Sequence, residues 1–538
     1  MNFTKFFNHR AKTIASAAFI LGLTGFISDF LSLIRLSVFT SLFKTRELDV
    51  FFAAFRIPDL LYNILILGAI STALIPVFSE YWSKSQRDAW HLYNNTLNVF
   101  ISFLVLVSVV LVIFTPQLMH LITPGFQGEK MEMVIKLTRI MFLSPILLGI
   151  SNVFGSVLQY FSKFLTYSLA PIMYNIGIIF GAFFFTPKFG IIGLAFGVIL
   201  GAILHLLIQL PALFLSGYHF KLIFDLTHRG IRKIFRLMIP RSIGIAAQQI
   251  NLIVITAIAS MLAAGSISLF NISNDLQQVP VSLFGTSFAI AVFPSLSRSF
   301  SEKRKKEFIE NFTSTASQIL FFLLPLSVLF FLLRAQIVRI ILGRQNFTWE
   351  DTRLAGACLG IFAISAFAQG LINLLSRTFY AAHDTKTPVK ISIFSITLNI
   401  IFSLSFVSVL SQQKTFFHYL ITVLDLQDLS NISIISFPLA FSLSSIINLI
   451  LLLVSLKRKI GNNWDLKLGN VFLRILSLSL VSGLITFGLL NIFDQILNLK
   501  TFLGIFLQAI LSAGGGVIFY IYCAKILGFP EYNLFFKK

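Results

Sequence analysis

The chain has 538 residues, of which 56% are hydrophobic and only 12% charged, with a formal net charge of +21. A soluble protein carries about 25% charged residues, and no soluble stretch here is long enough to offer a basic face. The excess of Lys and Arg therefore reads as membrane topology and not as a nucleic-acid partner. Two cysteines, Cys358 and Cys523, supply no disulfide framework. No His/Cys/Asp cluster has metal-ligand spacing, and there is no Walker loop or nucleophile elbow. The expectation is a non-enzyme without cofactor or metal.

Apolar runs longer than 18 residues recur from end to end and are continuous rather than alternating, which makes them helices and not barrel strands. The predicted fold is an all-α polytopic membrane protein with fourteen spans. They fall near 13–42, 48–83, 92–114, 132–158, 163–185, 189–215, 235–262, 265–299, 312–335, 351–378, 385–410, 432–457, 468–493 and 500–527. Lys5, Arg10 and Lys12 precede the first run, which continues through Asp29 and Arg35 without a small-residue cleavage site. It is predicted to be a retained span and not a signal peptide. An even count places both termini on one side. The basic clusters at Lys84/Arg87, Lys163, Lys221–Arg241, Arg298–Lys306, Arg377–Lys390, Lys457–Lys467 and Lys537/Lys538 share that side, with Lys44, Arg46, Arg339, Arg344 and Arg353 as exceptions. Both termini are therefore expected in the cytoplasm.

Charges inside spans are the candidate functional residues, because each costs about 2.5–3.5 kcal/mol at the centre of a span and must face a wet cavity or a partner. In span 1, Gly22, Gly25, Asp29 and Ser32 form one small polar stripe, which is also the pattern of a close-packing seam. Arg35 lies about 240° around the helix from Asp29, so the two are not an i,i+4 pair. Span 2 carries Arg56 and Asp59 on either side of Pro58. Gln248, Gln249 and Asn251 add polarity to span 7. In span 8, Asn274, Asp275 and Gln278 precede Pro280. A proline frees the carbonyl one turn earlier and permits a bend, so Pro58 and Pro280 are candidate hinges, or kinks that serve packing alone.

The basic amphipathic stretch Lys221–Arg236 reads as an interfacial helix, and Ser301–Asn311 as a solvated charged segment. An internal repeat organises the chain. Ala73-Leu-Ile-Pro-Val-Phe-Ser-Glu80 returns about 220 residues later as Ala291-Val-Phe-Pro-Ser-Leu-Ser-Arg298, and Tyr160…Pro171 is echoed by Tyr380…Pro388. Six spans separate the copies, so they are parallel repeats, a plan used by transporters. The predicted division is a six-span lobe over 1–220, a second lobe over 221–460 that includes the basic stretch, and two additional spans over 461–538.

Asp49-Val-Phe-Phe-Ala-Ala-Phe-Arg-Ile-Pro-Asp-Leu-Leu61, Gly68-Ala…Ala73-Leu-Ile-Pro-Val-Phe-Ser-Glu-Tyr81, Phe284-Gly…Phe293-Pro-Ser-Leu-Ser-Arg-Ser-Phe300 and Phe379-Tyr-Ala-Ala-His-Asp-Thr-Lys-Thr-Pro-Val-Lys390 resemble the MviN/MurJ family of lipid II flippases. That family lies within the multidrug/oligosaccharidyl-lipid/polysaccharide exporter superfamily, and the likeness spans the whole chain. It implies fourteen helices, two lobes around a cationic cavity, and a groove for a polyprenyl tail formed by the last two helices. It implies alternating access that carries the undecaprenyl-diphosphate-linked peptidoglycan precursor, lipid II, to the outer leaflet of the bacterial cytoplasmic membrane. Lipid II or a similar polyprenyl-diphosphate glycolipid and the bilayer are the implied partners, with cell-wall synthesis proteins as a further class.

By the same resemblance, Arg35 matches a cavity arginine, Asp49 the acid of the second helix, and Arg56 a basic position. The family has an arginine where this chain has Asp29, another near Tyr62, and an Arg…Glu pair at Asp275 and Gln278. The cluster of positive charge is thinned. Arg35 and Arg56 are expected to contact phosphate, with Asp29 and Asp275 as charge partners in conformational change. An acid in the seventh helix, used by sodium-coupled relatives, is absent from Leu252–Ser260. Two other readings remain: an exporter of another lipid-linked glycan or a drug-type cation, favoured by the added acids, and a non-transporting scaffold for wall synthesis that acts through its basic loops.

Overall fold

The computed structural model describes Phe7 and residues 14–64, 70–343, 345–412, 418–429, 431–461 and 468–536. Lys5, Arg10, Lys12, Gly68, Arg344, Lys467, Lys537 and Lys538 lie outside the described residues. The chain divides into two compact units, Met1–Ser268 and Leu269–Lys538.

The first unit contains α1 (Ile14–Leu42), α2 (Thr45–Ala54), α3 (Arg56–Tyr62), α4 (Ile70–Trp82), α5 (Gln86–Ile113), α6 (Thr115–Ile122), α7 (Glu129–Met141), α8 (Leu143–Tyr160), α9 (Phe164–Phe189), α10 (Ile192–Leu207), α11 (Leu210–Phe214), α12 (Arg229–Ser260) and the first turn of α13 (Ser266–Pro280). The rest of α13 opens the second unit. A π-helical turn, Val281–Thr286, follows it, then α14 (Ser287–Ser301), α15 (Lys305–Leu332), α16 (Arg334–Leu342), α17 (Trp349–Ala381), α18 (Lys386–Gln412), α19 (His418–Val423), α20 (Ser436–Ile460), α21 (Leu468–Ile496), α22 (Phe502–Ile526) and α23 (Pro530–Phe536). There is no strand among the described residues. Among them, 12 helical stretches are long and apolar enough to cross a membrane. The all-α polytopic fold read from the sequence is the fold observed.

Two expected spans take other forms. The stretch 48–83 is divided among α2, α3 and α4. The first break falls at Phe55 because Pro58 has no N–H to give the carbonyl of Ala54, and the ladder resumes with Asp59 N donating to Phe55 O at 2.8 Å. All but the last two residues of the stretch 235–262 lie within α12, a single helix of 32 residues. Its first two turns, Arg229–Arg236, were expected in a separate interfacial helix beginning at Lys221. They instead continue directly into the apolar part, and residues 218–228 are non-helical.

Pro280 immediately precedes the π-helical turn, where the ladder changes register. Gly285 in that turn lies against α17, and a Cβ there would come within 2.5 Å of Gly370 Cα. In the first unit, α9 and α10 pack through paired small residues. A Cβ at Gly177 would come within 2.5 Å of Gly201 Cα, and one at Gly181 within 2.3 Å of Gly197 Cα. Both helices thus carry a Gly-x-x-x-Gly seam that lets their backbones touch. Gly22 and Gly25 were a candidate seam, but a Cβ at either would meet nothing within 4 Å. Gly181→Leu should therefore cost about 3 kcal/mol through overpacking, read as a lower thermal midpoint of the purified protein. Gly22→Leu should change it by less than ~0.5 kcal/mol.

The two junctions that echo one another in sequence adopt the same turn. Ser162 and His383 both have left-handed backbone, with φ of 58° and 56°. In each turn the following residue donates back to the carbonyl five positions earlier: Lys163 to Leu158 and Asp384 to Phe379. The Thr-Lys-Thr-Pro-Val-Lys signature is the start of α18. Asp384 accepts from Thr387 N at 3.0 Å and Thr387 Oγ1 at 2.8 Å, and pairs with Lys459 of α20 at 2.9 Å. Partial burial works against its ionisation, but these bonds prevail and hold its carboxyl down to about 2.

Candidate functional site

Asp49 is a thoroughly satisfied buried charge of the first unit. It is 2% exposed on α2. One carboxylate oxygen accepts from Gly265 N at 2.6 Å and pairs with Lys130 Nζ of α7 at 3.3 Å. The other accepts from Ser268 N at 2.9 Å and Ser268 Oγ at 3.0 Å. Gly265 and Ser268 flank the start of α13, whose first amides have no partner within their own helix. Asp49 supplies that partner from a different helix, and its negative charge sits at the positive end of the helix dipole. Gly265 has φ of 99°, a backbone that favours glycine and turns the chain into α13. Lys130 also stacks over Phe126, 4.0 Å from the ring centre.

Arg35 is half-buried on α1, and its Nη1 donates to Asn175 Oδ1 of α9 at 3.0 Å. Asn175 is buried, and its Nδ2 reaches Ser28 O, Ser28 Oγ and Pro171 O, each at 3.2 Å. The amide nitrogen thus ties α1 to α9, which leaves the amide oxygen facing the guanidinium and defines its orientation. Arg35 makes no ion pair among the described residues. A guanidinium has five N–H donors in a planar fork, of which the bond to Asn175 uses one. Asp29, six residues earlier, is also half-buried on α1.

Arg56 is more enclosed, at 9% exposure, with Nε donating to Thr256 Oγ1 of α12 at 2.8 Å. Asp59 is half-buried on α3. Tyr174 has Arg35, Asp59 and Ser144 as its electrostatic neighbours. Tyr62 accepts from Asn152 Nδ2 at 3.4 Å and has Asp59, Tyr167 and Tyr174 as its electrostatic neighbours. The first unit therefore gathers Arg35, Asp59 and three tyrosines around a polar patch at α1, α3, α8 and α9. Pro58 sits in the first turn of α3, where a missing N–H is tolerated. Gln248, Gln249 and Asn251 lie on α12, with Asn251 buried and Gln248 exposed.

In the second unit, Asn274 and Asp275 are half-buried and Gln278 is exposed, all on α13. Gln277 is the anchored member of that helix. It donates to Gln369 Oε1 at 3.2 Å and accepts from Gln369 Nε2 at 3.0 Å, and Gln369 continues to Ser365 at 3.2 Å. Ser365 meets Ser442 of α20 at 3.0 Å. Asn274 touches this ladder through Gln277 Nε2 at 3.4 Å. Sequence reasoning did not single out Lys130, Asn175, Thr256 or Gln369, whose partners lie 81 to 200 positions away.

A family model for the lipid II flippase MurJ matches residues 38–507. The chain belongs to the lipid II flippase MurJ family. It is 31% identical over 394 residues to a probable lipid II flippase MurJ of Buchnera aphidicola subsp. Acyrthosiphon pisum, covering 72% of this chain and 76% of that one. The probable lipid II flippase MurJ of Buchnera aphidicola subsp. Baizongia pistaciae is 26% identical over 534 residues, 96% of this chain and 98% of that one. A solved lipid II flippase MurJ in an inward closed conformation shares the fold, with a TM-score of 0.75 and 24% identity over 95% of this chain and 99% of that one. Membership in this family, expected from the motifs, holds along nearly the whole chain. It makes the protein a multi-pass bacterial membrane protein of a transporter family.

Proposed function

We propose that this protein moves lipid II from the inner to the outer leaflet of the bacterial cytoplasmic membrane by alternating access, with both termini in the cytoplasm. The observation that carries this reading is the family match over residues 38–507. The physical requirement agrees with it. A sugar–diphosphate headgroup cannot cross hydrocarbon unaided, since burying an unpaired charge costs far more than any binding energy returns. Arginine answers that need with charge-assisted, two-pronged hydrogen bonds to phosphate. Arg35, held by Asn175, is the candidate phosphate contact. Arg56, with Nε engaged by Thr256, supports α3 against α12 in the observed state. Tyr62, Tyr167 and Tyr174 offer faces and hydroxyls suited to sugar. Pro58 and Pro280 are the hinges. The lobes are residues 1–220 and 221–460, with the tail groove formed by 461–538.

One observation favours a second reading. Asp29 and Asp275 stand within spans where the family resemblance implies arginine, and a less anionic lipid-linked glycan would suit such a cavity better. Complementation of a strain depleted of its own flippase separates the readings. Wild-type protein should restore growth and cell shape. If it is abundant in the membrane and fails to rescue, lipid II is not its cargo. A scaffold that recruits wall-synthesis proteins through its loops would tolerate Arg35→Ala but not neutralisation of the basic loops.

A further inference from the structure

Residues 218–226, between α11 and α12, have no regular secondary structure, yet their backbone is fastened along α5. Three buried asparagines of that helix do the fastening. Asn94 donates to His219 O at 3.0 Å and accepts from Lys221 N at 2.9 Å. Asn98 donates to Lys221 O at 2.9 Å and Ile223 O at 3.0 Å. Asn95 exchanges both bonds with Asp225, each at 2.8 Å. Every captured group belongs to an odd-numbered residue, so the segment runs extended with a period of two. The even-numbered Phe220, Leu222, Phe224 and Leu226 share the opposite parity and are 57% to 83% exposed.

Four large apolar side chains in a row on one edge call for an apolar covering. An extended backbone enters an apolar environment only if its polar groups are paired, and the asparagines pair six of them along one side. That arrangement suits a segment lying at a lipid–water boundary. Beside it, the first turns of α12 border a shallow, open hollow of about 510 Å³ lined by Leu226, Ile231, Arg232, Phe235, Arg236 and Ile239. Arg232 and Arg236 are one turn apart on one helix face and exposed, and neither makes an ion pair among the described residues. Their neighbour Lys233, by contrast, is paired with Glu80 at 2.6 Å.

We infer that this surface is a binding site for a membrane phospholipid with an anionic headgroup. Arg232 and Arg236 take the phosphate, the hollow takes the upper acyl chain, and the Phe220–Leu226 edge inserts beside it. Two unpaired cations over an apolar hollow match the charge and shape of such a lipid, and neither a zwitterionic headgroup nor a soluble anion matches both. The site fastens the connection between α11 and α12 to one leaflet.

The test uses the full-length protein in detergent and phosphatidylglycerol with brominated chains, whose binding quenches tryptophan. With Trp82, Trp349 and Trp464 replaced by phenylalanine in every variant, Trp90 is the reporter, its ring 5.7 Å from that of Tyr218 at the start of the strap. Arg232→Gln with Arg236→Gln should weaken half-saturation about 25-fold, as two basic residues beside an acidic lipid contribute about fivefold each. Lys303→Gln with Lys306→Gln, the same charge change elsewhere, should leave it unaltered. Brominated phosphatidylcholine should quench weakly in every variant. If the arginine variant does not purify folded, Leu222→Ser with Phe224→Ser carries the test, since those side chains are exposed and their loss should abolish quenching. Equal weakening by the lysine pair, equal quenching by phosphatidylcholine, or no change in either site variant would overturn the inference. So would loss of flipping with unchanged phosphatidylglycerol binding, which would assign the arginines to the cargo.

Discussion

Replacing Asp49 with alanine should destabilise the protein by about 3 kcal/mol, the low end of what is lost when one partner of a buried ion pair is removed. Its carboxylate receives the N–H groups of Gly265 and Ser268, the Ser268 hydroxyl and the Lys130 ammonium. Alanine would leave two amides at the start of α13 without partners, each costing about 1–3 kcal/mol when buried. Asparagine should lose less than half as much, since its oxygen can still accept from one amide, though without the charge that roughly doubles such a bond. Lys130→Met should be the mildest, at about 1 kcal/mol, because Lys130 is 30% exposed and the carboxylate keeps its other donors. The series is read as denaturant or thermal unfolding of the purified protein, with rescue of a flippase-depleted strain alongside. If Lys130→Met proves as damaging as Asp49→Ala, the ion pair and not the helix-start amides holds this region together.

The ranking also shows what a sequence can and cannot disclose. The spans were legible because a bilayer demands about 20 apolar residues in a row and leaves little choice of structure. The junctions at Tyr160 and Tyr380, paired in sequence, share a turn geometry with Ser162 and His383 in the left-handed region, but Lys303 and Asp425 adopt the same turn, so it marks helix ends and not the repeat alone. Arg35 stood out because charge is scarce in such helices, and Asp49 only because the family resemblance marks an acid there. Their partners did not. Asn175 looks like any polar residue in α9 until α1 is laid beside it, and Lys130 sits in a charged helix start where nothing marks it. Hydropathy also misjudged continuity. It read 48–83 as one span, although Pro58 interrupts the ladder at Ala54. It separated Arg229–Arg236 from the following span, although nothing in Arg-Leu-Met-Ile-Pro240 stops α12. The Gly22/Gly25 stripe and the Gly177/Gly181 seam look alike in sequence. Only the second finds glycines on a neighbouring helix to approach.

The largest effect on transport is expected at Arg35. Removing an arginine that makes charge-assisted bonds to a diphosphate forfeits about 1.5–3 kcal/mol per bond, so Arg35→Ala should reduce flipping by roughly ten- to a hundredfold. Lysine keeps the charge but not the planar fork, and it cannot reproduce both the bond to Asn175 and a two-pronged contact to phosphate. Arg35→Lys should therefore fall between alanine and wild type. Asn175 provides the more discriminating case. Asn175→Asp preserves the oxygen that accepts from Arg35 at 3.0 Å, but it removes the donors to Ser28 and Pro171. It also adds a negative charge that would occupy the guanidinium. Asn175→Ala removes the constraint and leaves the charge free. If Arg35 serves an anionic headgroup, the aspartate variant should be worse at flipping than the alanine variant, although it keeps the contact seen in the fold. If Arg35 serves only to join α1 to α9, the order reverses, because the aspartate keeps the bond from Arg35 that alanine loses. Flipping in proteoliposomes, compared with the unfolding midpoint of each variant, distinguishes the two, since only a role toward the headgroup separates activity from stability.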